Sequence, residues 1–176
     1  MNLTETEQVT NAETMRHILT VRALLMECVR ELTERAIKHD QSKLGKPEVD
    51  TFTKYTSVLA GLTYGSEEYK QCLAEMKPAL DNHYACNAHH PEHHKDGFMG
   101  MNLIDLLEMV IDWKAATLRH KNGDIRNSLE INTKRYDIPE PIRRILENTL
   151  PMVETMAATA RVDVSYPHID NKDLVK

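Results

Sequence analysis

A chain of 176 residues and 20.2 kDa can bury a sizeable core within one domain. A net charge of −5, a pI near 6.0 and no run of basic residues argue against duplex nucleic acid as a partner, because that partner selects a basic footprint. No apolar run approaches the roughly 20 residues that cross a bilayer, and three cysteines without CxxC spacing (Cys28, Cys72, Cys86) argue against a disulfide framework or a Cys-type zinc site.

The first residues are polar and acidic rather than basic and apolar, so they do not read as a signal peptide. The expectation is a cytoplasmic protein with no membrane attachment. Aromatic residues make up only 5% and glycines number 6. Packing therefore falls to Leu, Ile, Val, Met and Ala, which suits helices.

Taken in order, residues 1–10 read as a flexible arm, 11–160 as one helical domain and 161–176 as a polar tail. Asn11 is the predicted cap of a first helix on which Ile18, Val21, Leu24, Leu25, Cys28, Val29 and Leu32 form an apolar stripe. Glu13 and His17 sit one turn apart on it. The pattern runs on to His39-Asp40 and breaks at 42–47. One straight helix over 12–40 would separate His17 from His39 by roughly 33 Å. A reversal near 28–34, with Thr33 capping a second helix, would bring them together.

Two further helices are predicted at 48–60 and 66–80, the second capped by Ser66. Asn102 caps a strongly periodic helix on which Asp105, Glu108 and Asp112 make a row of carboxylates beside the apolar stripe. Such a row is costly to bury unless cations or donors meet it. A turn at 122–124 leads into a helix over 124–135 that carries Arg126 and Arg135, candidate anion contacts. Pro139 and Pro141 bracket the start of a last helix, about 140–160, which Pro151 is expected to kink or split. No useful period-2 alternation occurs, so the predicted class is all-α.

Residues 82–94 hold five of the nine histidines: His83, His89, His90, His93 and His94. Imidazole suits zinc, iron, manganese, cobalt or nickel, and no structural element requires five of them so close together. Pro91 and Asp96-Gly97 mark the stretch as a loop. Its adjacent His89 and His90 can then both turn inward, while His93 and His94 are expected to face water or substrate. The candidate ligands are His17, His39, Asp40, His83, His89, His90 and Asp112, with Glu108 as a supporting carboxylate.

The early His17, the pair in His39-Asp40-Gln41-Ser42-Lys43 and the distant Asp112 resemble the HD superfamily of metal-dependent phosphohydrolases. Taken together, HDxSK-x3-PE, His-x3-Asn-x-His-His-x-Glu and Glu-x3-Asp-Trp-Lys-Ala more closely resemble a small family of unknown function common in phages and bacteria, over roughly residues 15–150. The resemblance implies an HD-like helical fold holding one to three divalent transition metals and acting on a small phosphorylated substrate, a nucleotide first. If the chain is phage-encoded, its place is the host cytoplasm. In that reading Asp40 bridges cations, Glu13 or Glu108 contacts a further ion, and Lys43 contacts phosphate. Arg126 and Arg135 neutralise charge on the leaving side, and Glu92 or a loop histidine protonates the leaving oxygen. An iron oxygenase of the same fold and a non-catalytic, metal-stabilised binding protein are the rival readings. Self-association into a homo-oligomer stays open.

Overall fold

The computed structural model describes residues 3–62, 66–118 and 123–160. All regular structure among them is helical, as predicted. It comprises α1 (Glu5–Lys38), α2 (Glu48–Ala60), α3 (Glu67–Cys86), α4 (Leu103–Thr117), α5 (Ile125–Arg135) and α6 (Glu140–Thr159). Short 3-10 turns lie at Gln41–Leu44, Pro91–His93 and Gly97–Gly100. The chain divides into two compact units, Met1–Glu108 and Met109–Lys176. The predicted tail at 161–176 and Asn122 of the predicted turn lie outside the described residues.

Most of the predicted arm is helix. Thr4 and Glu7 form a capping box: the Glu7 amide donates to Thr4 Oγ1 at 3.3 Å, and the Thr4 amide donates to Glu7 Oε2 at 2.7 Å. This Thr-x-x-Glu signature satisfies two otherwise unpaired amides and starts the helix well before Asn11. No reversal follows. Thr33 donates its hydroxyl back to the Val29 carbonyl, as a residue inside a helix does, so it caps nothing. α1 is a single helix of 34 residues. None of its residues is buried, so its apolar stripe is not the core face that the periodicity suggests.

In the first unit, α2 packs on α3 through Tyr55, Met76 and Ala79, all buried. Ser66 caps α3 by accepting from the Tyr69 amide at 3.2 Å. The helix passes through Pro78 and ends at Cys86, six residues beyond the predicted limit. Asn102 caps α4, accepting from the amides of Ile104 and Asp105 at 2.8 and 3.1 Å. On that helix the expected faces are partly reversed, since Leu103 is exposed and Asp105 is buried.

In the second unit α5 lies against α6, and Ile125, Leu129, Leu146, Leu150 and Val153 are buried. Asp124 caps α5 through the Arg126 amide at 2.8 Å. Pro151 does not split α6, which stays helical to Thr159.

Leu150 is 1% exposed and Leu44 72% exposed. Leu150→Ala should cost about 2–5 kcal/mol of unfolding free energy, because it leaves a cavity as well as losing burial. Leu44→Ala should stay within about 0.5 kcal/mol. Urea unfolding followed by circular dichroism measures both, and equal effects would contradict the core described here.

Candidate metal centre

The site is built where α1 ends. His39 caps the helix and is half-buried, and Asp40 then turns the chain with a left-handed backbone (φ 55°, ψ 12°). Aspartate is among the few residues that tolerate this conformation. The corner feeds the Gln41–Leu44 turn. There Lys43 Nζ bonds Asp40 Oδ2 at 2.5 Å and lies 5.5 Å above the Phe52 ring.

His83 projects from the last turn of α3 rather than from the predicted loop. The loop proper begins at Asn87 and returns His89 and His90 to the same place. Four atoms converge there, Asp40 Oδ1 and one ring nitrogen from each of His83, His89 and His90, all within 4.8 Å of one another. His83 Nε2 stands 2.9 Å from His90 Nε2 and 3.3 Å from Asp40 Oδ1, and His89 Nε2 is 3.6 Å from the same oxygen. Ligands held at about 2.0–2.1 Å from one ion at near-tetrahedral angles lie roughly 3.3 Å apart. Asp40 Oδ1 and His89 Nε2 are buried and find no hydrogen-bond partner among the described residues. Buried polar atoms left this way are costly and call for an explanation. A divalent cation held by this donor set meets both.

The ring orientations are fixed from behind. Glu48, at 0% exposure, accepts from His83 Nδ1 at 2.9 Å and from Asn82 Nδ2 at 2.7 Å. Asn87 Nδ2 donates to the His83 carbonyl at 2.7 Å and to Ser42 Oγ at 2.9 Å. Glu108 Oε1 accepts from Nδ1 of both His39 and His89, at 2.8 and 3.1 Å. With Nδ1 donating in this way, Nε2 carries the lone pair that can ligate. Arg35 then secures the acidic row: Nε reaches Glu108 Oε2 at 2.6 Å and Nη2 reaches Asp105 Oδ1 at 2.5 Å.

Burial works to raise the pKa of Glu108, but hydrogen bonds from His39, His89 and Arg35 outweigh it and hold the carboxyl far below its usual range. For Asp40, burial again opposes ionisation, and the Lys43 bond and charge bring the value below normal. His83 is pushed down by burial first and the Lys43 charge second, against the pull of Asp40 and Glu48. The neutral imidazole that a metal requires is thereby favoured.

The other expected residues fall elsewhere. His17 and Glu13 are exposed on α1, with His17 twenty-two residues before His39 on one continuous helix, roughly 33 Å away along its axis. Neither belongs to the centre. His39 and Glu108 face each other and His89 in an adjoining group, and there Glu108 acts as the shared acceptor of ring N–H groups. Asp112 is half-buried one turn beyond Glu108, in the part of α4 that belongs to the second unit.

Arg126 pairs with Glu154 at 3.3 Å and Arg135 lies over Tyr136, both contacts within the second unit. Glu92 is exposed on the Pro91–His93 turn. His93 and His94 are used to close the loop, through the Tyr84 and Ala88 carbonyls, each at 2.8 Å. Arg35, Glu48 and Asn87 had no role in the sequence reading, and Asp105 figured there only as part of the acidic row. Glu48 and Asn87 stand inside the motifs quoted above, which was the one available sign.

The fold and site together define an all-α protein with a buried His and Asp cluster able to hold a metal ion. Residues 6–157 match the model of a family of unknown function, DUF5662, and the chain belongs to that family. No curated protein and no solved structure matches it.

A carboxyl whose folded pKa is depressed adds stability in full above its unfolded value, about 4.3 for glutamate. That contribution is lost as pH falls towards the folded value. The metal-free protein should therefore lose stability steeply below about pH 4.3. Glu108→Gln should be less stable at neutral pH yet show a shallower acid limb. Urea midpoints from pH 7 to pH 3 measure this, and parallel curves for the two proteins would mean that Glu108 is not held ionised.

Proposed function

We propose that this chain is a metal-dependent hydrolase of phosphate esters, with nucleotides the first substrates to test. The observation that carries the proposal is the convergence of Asp40 Oδ1 with the ring nitrogens of His83, His89 and His90, two of the four atoms being buried without a partner. Three imidazoles and one carboxylate suit zinc, iron, manganese, cobalt or nickel better than calcium or magnesium, which prefer oxygen ligands. A divalent ion bound there supplies a Lewis acid, the chemistry by which water becomes nucleophilic near neutral pH.

The chain's own groups do the rest. Glu48 and Glu108 fix the rings from behind, so the ligand atoms need little rearrangement. Lys43, with its side chain 37% exposed, sits beside Asp40 and can pass its charge from Oδ2 to a phosphate oxygen. Glu92, exposed two residues after His90, is the assigned donor of the proton that the leaving oxygen requires. The resemblance of His39-Asp40-x-Ser42-Lys43 to the HD phosphohydrolases points the same way.

The test begins with elemental analysis of protein purified without a His tag. A screen of nucleotides and simple phosphate esters with Mn2+, Co2+, Fe2+ and Zn2+ follows. A bound transition ion and metal-dependent phosphate release are expected. Asp40→Asn should keep the helical signal but lose metal affinity and turnover by more than about 100-fold, beyond the roughly 10–100-fold of a change behind the ligands. His94→Ala should cost far less. Full metal and full activity in Asp40→Asn would refute the assignment. Tightly held iron with no hydrolysis of any phosphate ester would favour oxygen activation instead.

A further inference from the structure

α1 presents an apolar face that the described residues do not cover. Met15, Ile18, Leu25 and Val29 recur with Arg22 and Leu32 in alternating steps of three and four residues, the spacing of a coiled-coil seam. Leu19, Val21 and Met26 flank that seam. Exposure of the large apolar side chains from Met15 to Val29 runs from 40% at Val21 to 63% at Leu24. The ion pairs of Glu27 with Arg30 and of Arg30 with Glu34 lie on the opposite side. A long helix in water gains most of its stability from packing an apolar face, and α1 buries no residue of its own. Such a face calls for a partner helix.

We propose that this face pairs with α1 of a second copy of the chain, antiparallel, to form a homodimer. The complement of a seven-residue seam is another helix with the same repeat, and every copy supplies one. Seven half-exposed aliphatic side chains on and beside the seam (Met15, Ile18, Leu19, Val21, Leu25, Met26 and Val29) leave on the order of 700 Å2 on one helix. That exceeds the roughly 300–600 Å2 patch a monomer tolerates, and it approaches the roughly 800 Å2 per partner of a standard interface.

Orientation follows from Arg22, the one charged residue in the seam, and from the distribution of charge. In a parallel pair the two Arg22 guanidiniums would meet at one level. An antiparallel pair centred on the run 15–32 sets Met15 beside Leu32 of the second copy, Ile18 beside Val29 and Arg22 beside Leu25. It also lays the acidic first half of α1 (Glu5, Glu7 and Glu13 against Arg16) along a second half whose remaining charges balance (Arg22, Arg30 and Lys38 against Glu27, Glu31 and Glu34, with Arg35 taken up by Asp105 and Glu108), where a parallel pair would set the two acidic halves side by side.

Light scattering on the size-fractionated full-length protein should give twice the 20.2 kDa chain mass at tens of micromolar. Ile18→Asp and Leu25→Asp should each shift the mass to that of one chain while the far-UV helical signal stays. Met99→Asp, at a 68% exposed side chain outside α1, should leave the dimer intact. A second measurement does not depend on those variants. The antiparallel register sets residue 18 beside residue 29 of the second copy across the seam, whereas a parallel pair would set 18 beside 18 and 29 beside 29. With Cys28, Cys72 and Cys86 replaced by Ser, Ile18→Cys combined with Val29→Cys should oxidise to a covalent dimer whose disulfides map to 18–29, and the parent without those two cysteines should not. A single-chain mass for the unmodified protein, or a dimer indifferent to both seam substitutions, overturns the proposal. Disulfides mapping to 18–18 and 29–29 overturn its antiparallel arrangement.

Discussion

Glu108 carries a negative charge at a position where its side chain is only 12% exposed, and three side chains from different parts of the first unit donate to it. Arg35 comes from the last turn of α1, His39 from the cap of that helix, and His89 from the loop after α3. Removing a carboxylate from water costs several kcal/mol unless donors replace the lost hydration. Here each donor has a second duty. Arg35 also holds Asp105, His39 ends α1, and His89 keeps its remaining ring nitrogen for the cluster around Asp40. The loop is long and carries two turns of 3-10 helix, yet His89 is drawn to a place where it is 1% exposed. Meeting the charge of Glu108 and orienting the ligands are therefore one structural event.

The same device appears on the other side of the cluster. Glu48 is the first residue of α2 and entirely buried, and it orients His83 as Glu108 orients His89. Two carboxylates on two helices thus approach the ring nitrogens from outside, while Asp40 approaches from inside. Lys43 balances part of this charge by holding the outer oxygen of Asp40. His83, held towards its neutral form by burial and the Lys43 charge, and His89 thus turn Nε2 towards Asp40 while Nδ1 is engaged from outside, the arrangement in which imidazole ligates transition metals.

Much of this was legible in the amino-acid order, and the failures have physical reasons. Capping chemistry is local, so Ser66, Asn102 and Asp124 mark the starts of α3, α4 and α5 correctly. Thr4 with Glu7 marks α1 by the same rule, but a polar, acidic opening reads more readily as an arm. Periodicity found the helices but could not say which stripe has a partner. The stripe on α1 is exposed, whereas the acidic edge of α4 turns towards Arg35. Histidine density identified the loop. The distance argument against His17 was available from helix rise alone, and only the absence of a reversal decided it. Arg35 and Glu48 escaped because nothing in a lone arginine or glutamate announces that it will be buried against a histidine or an acidic row some 35 to 70 residues away.

Asp40 combines two demands that rarely fall on one residue. Its carboxylate must face three imidazoles, and its backbone must hold the left-handed conformation that turns the chain out of α1. Glycine would satisfy the turn and supply no ligand. Asparagine suits the same backbone but brings no charge. Glutamate keeps the charge, tolerates the left-handed region less well, and reaches one bond too far for a corner this tight. Each neighbour in amino-acid space meets one demand and fails the other. The corner at residue 40 is thus closed to gradual substitution: a lineage that lost this aspartate would have to rebuild the exit from α1 and the ligand set together.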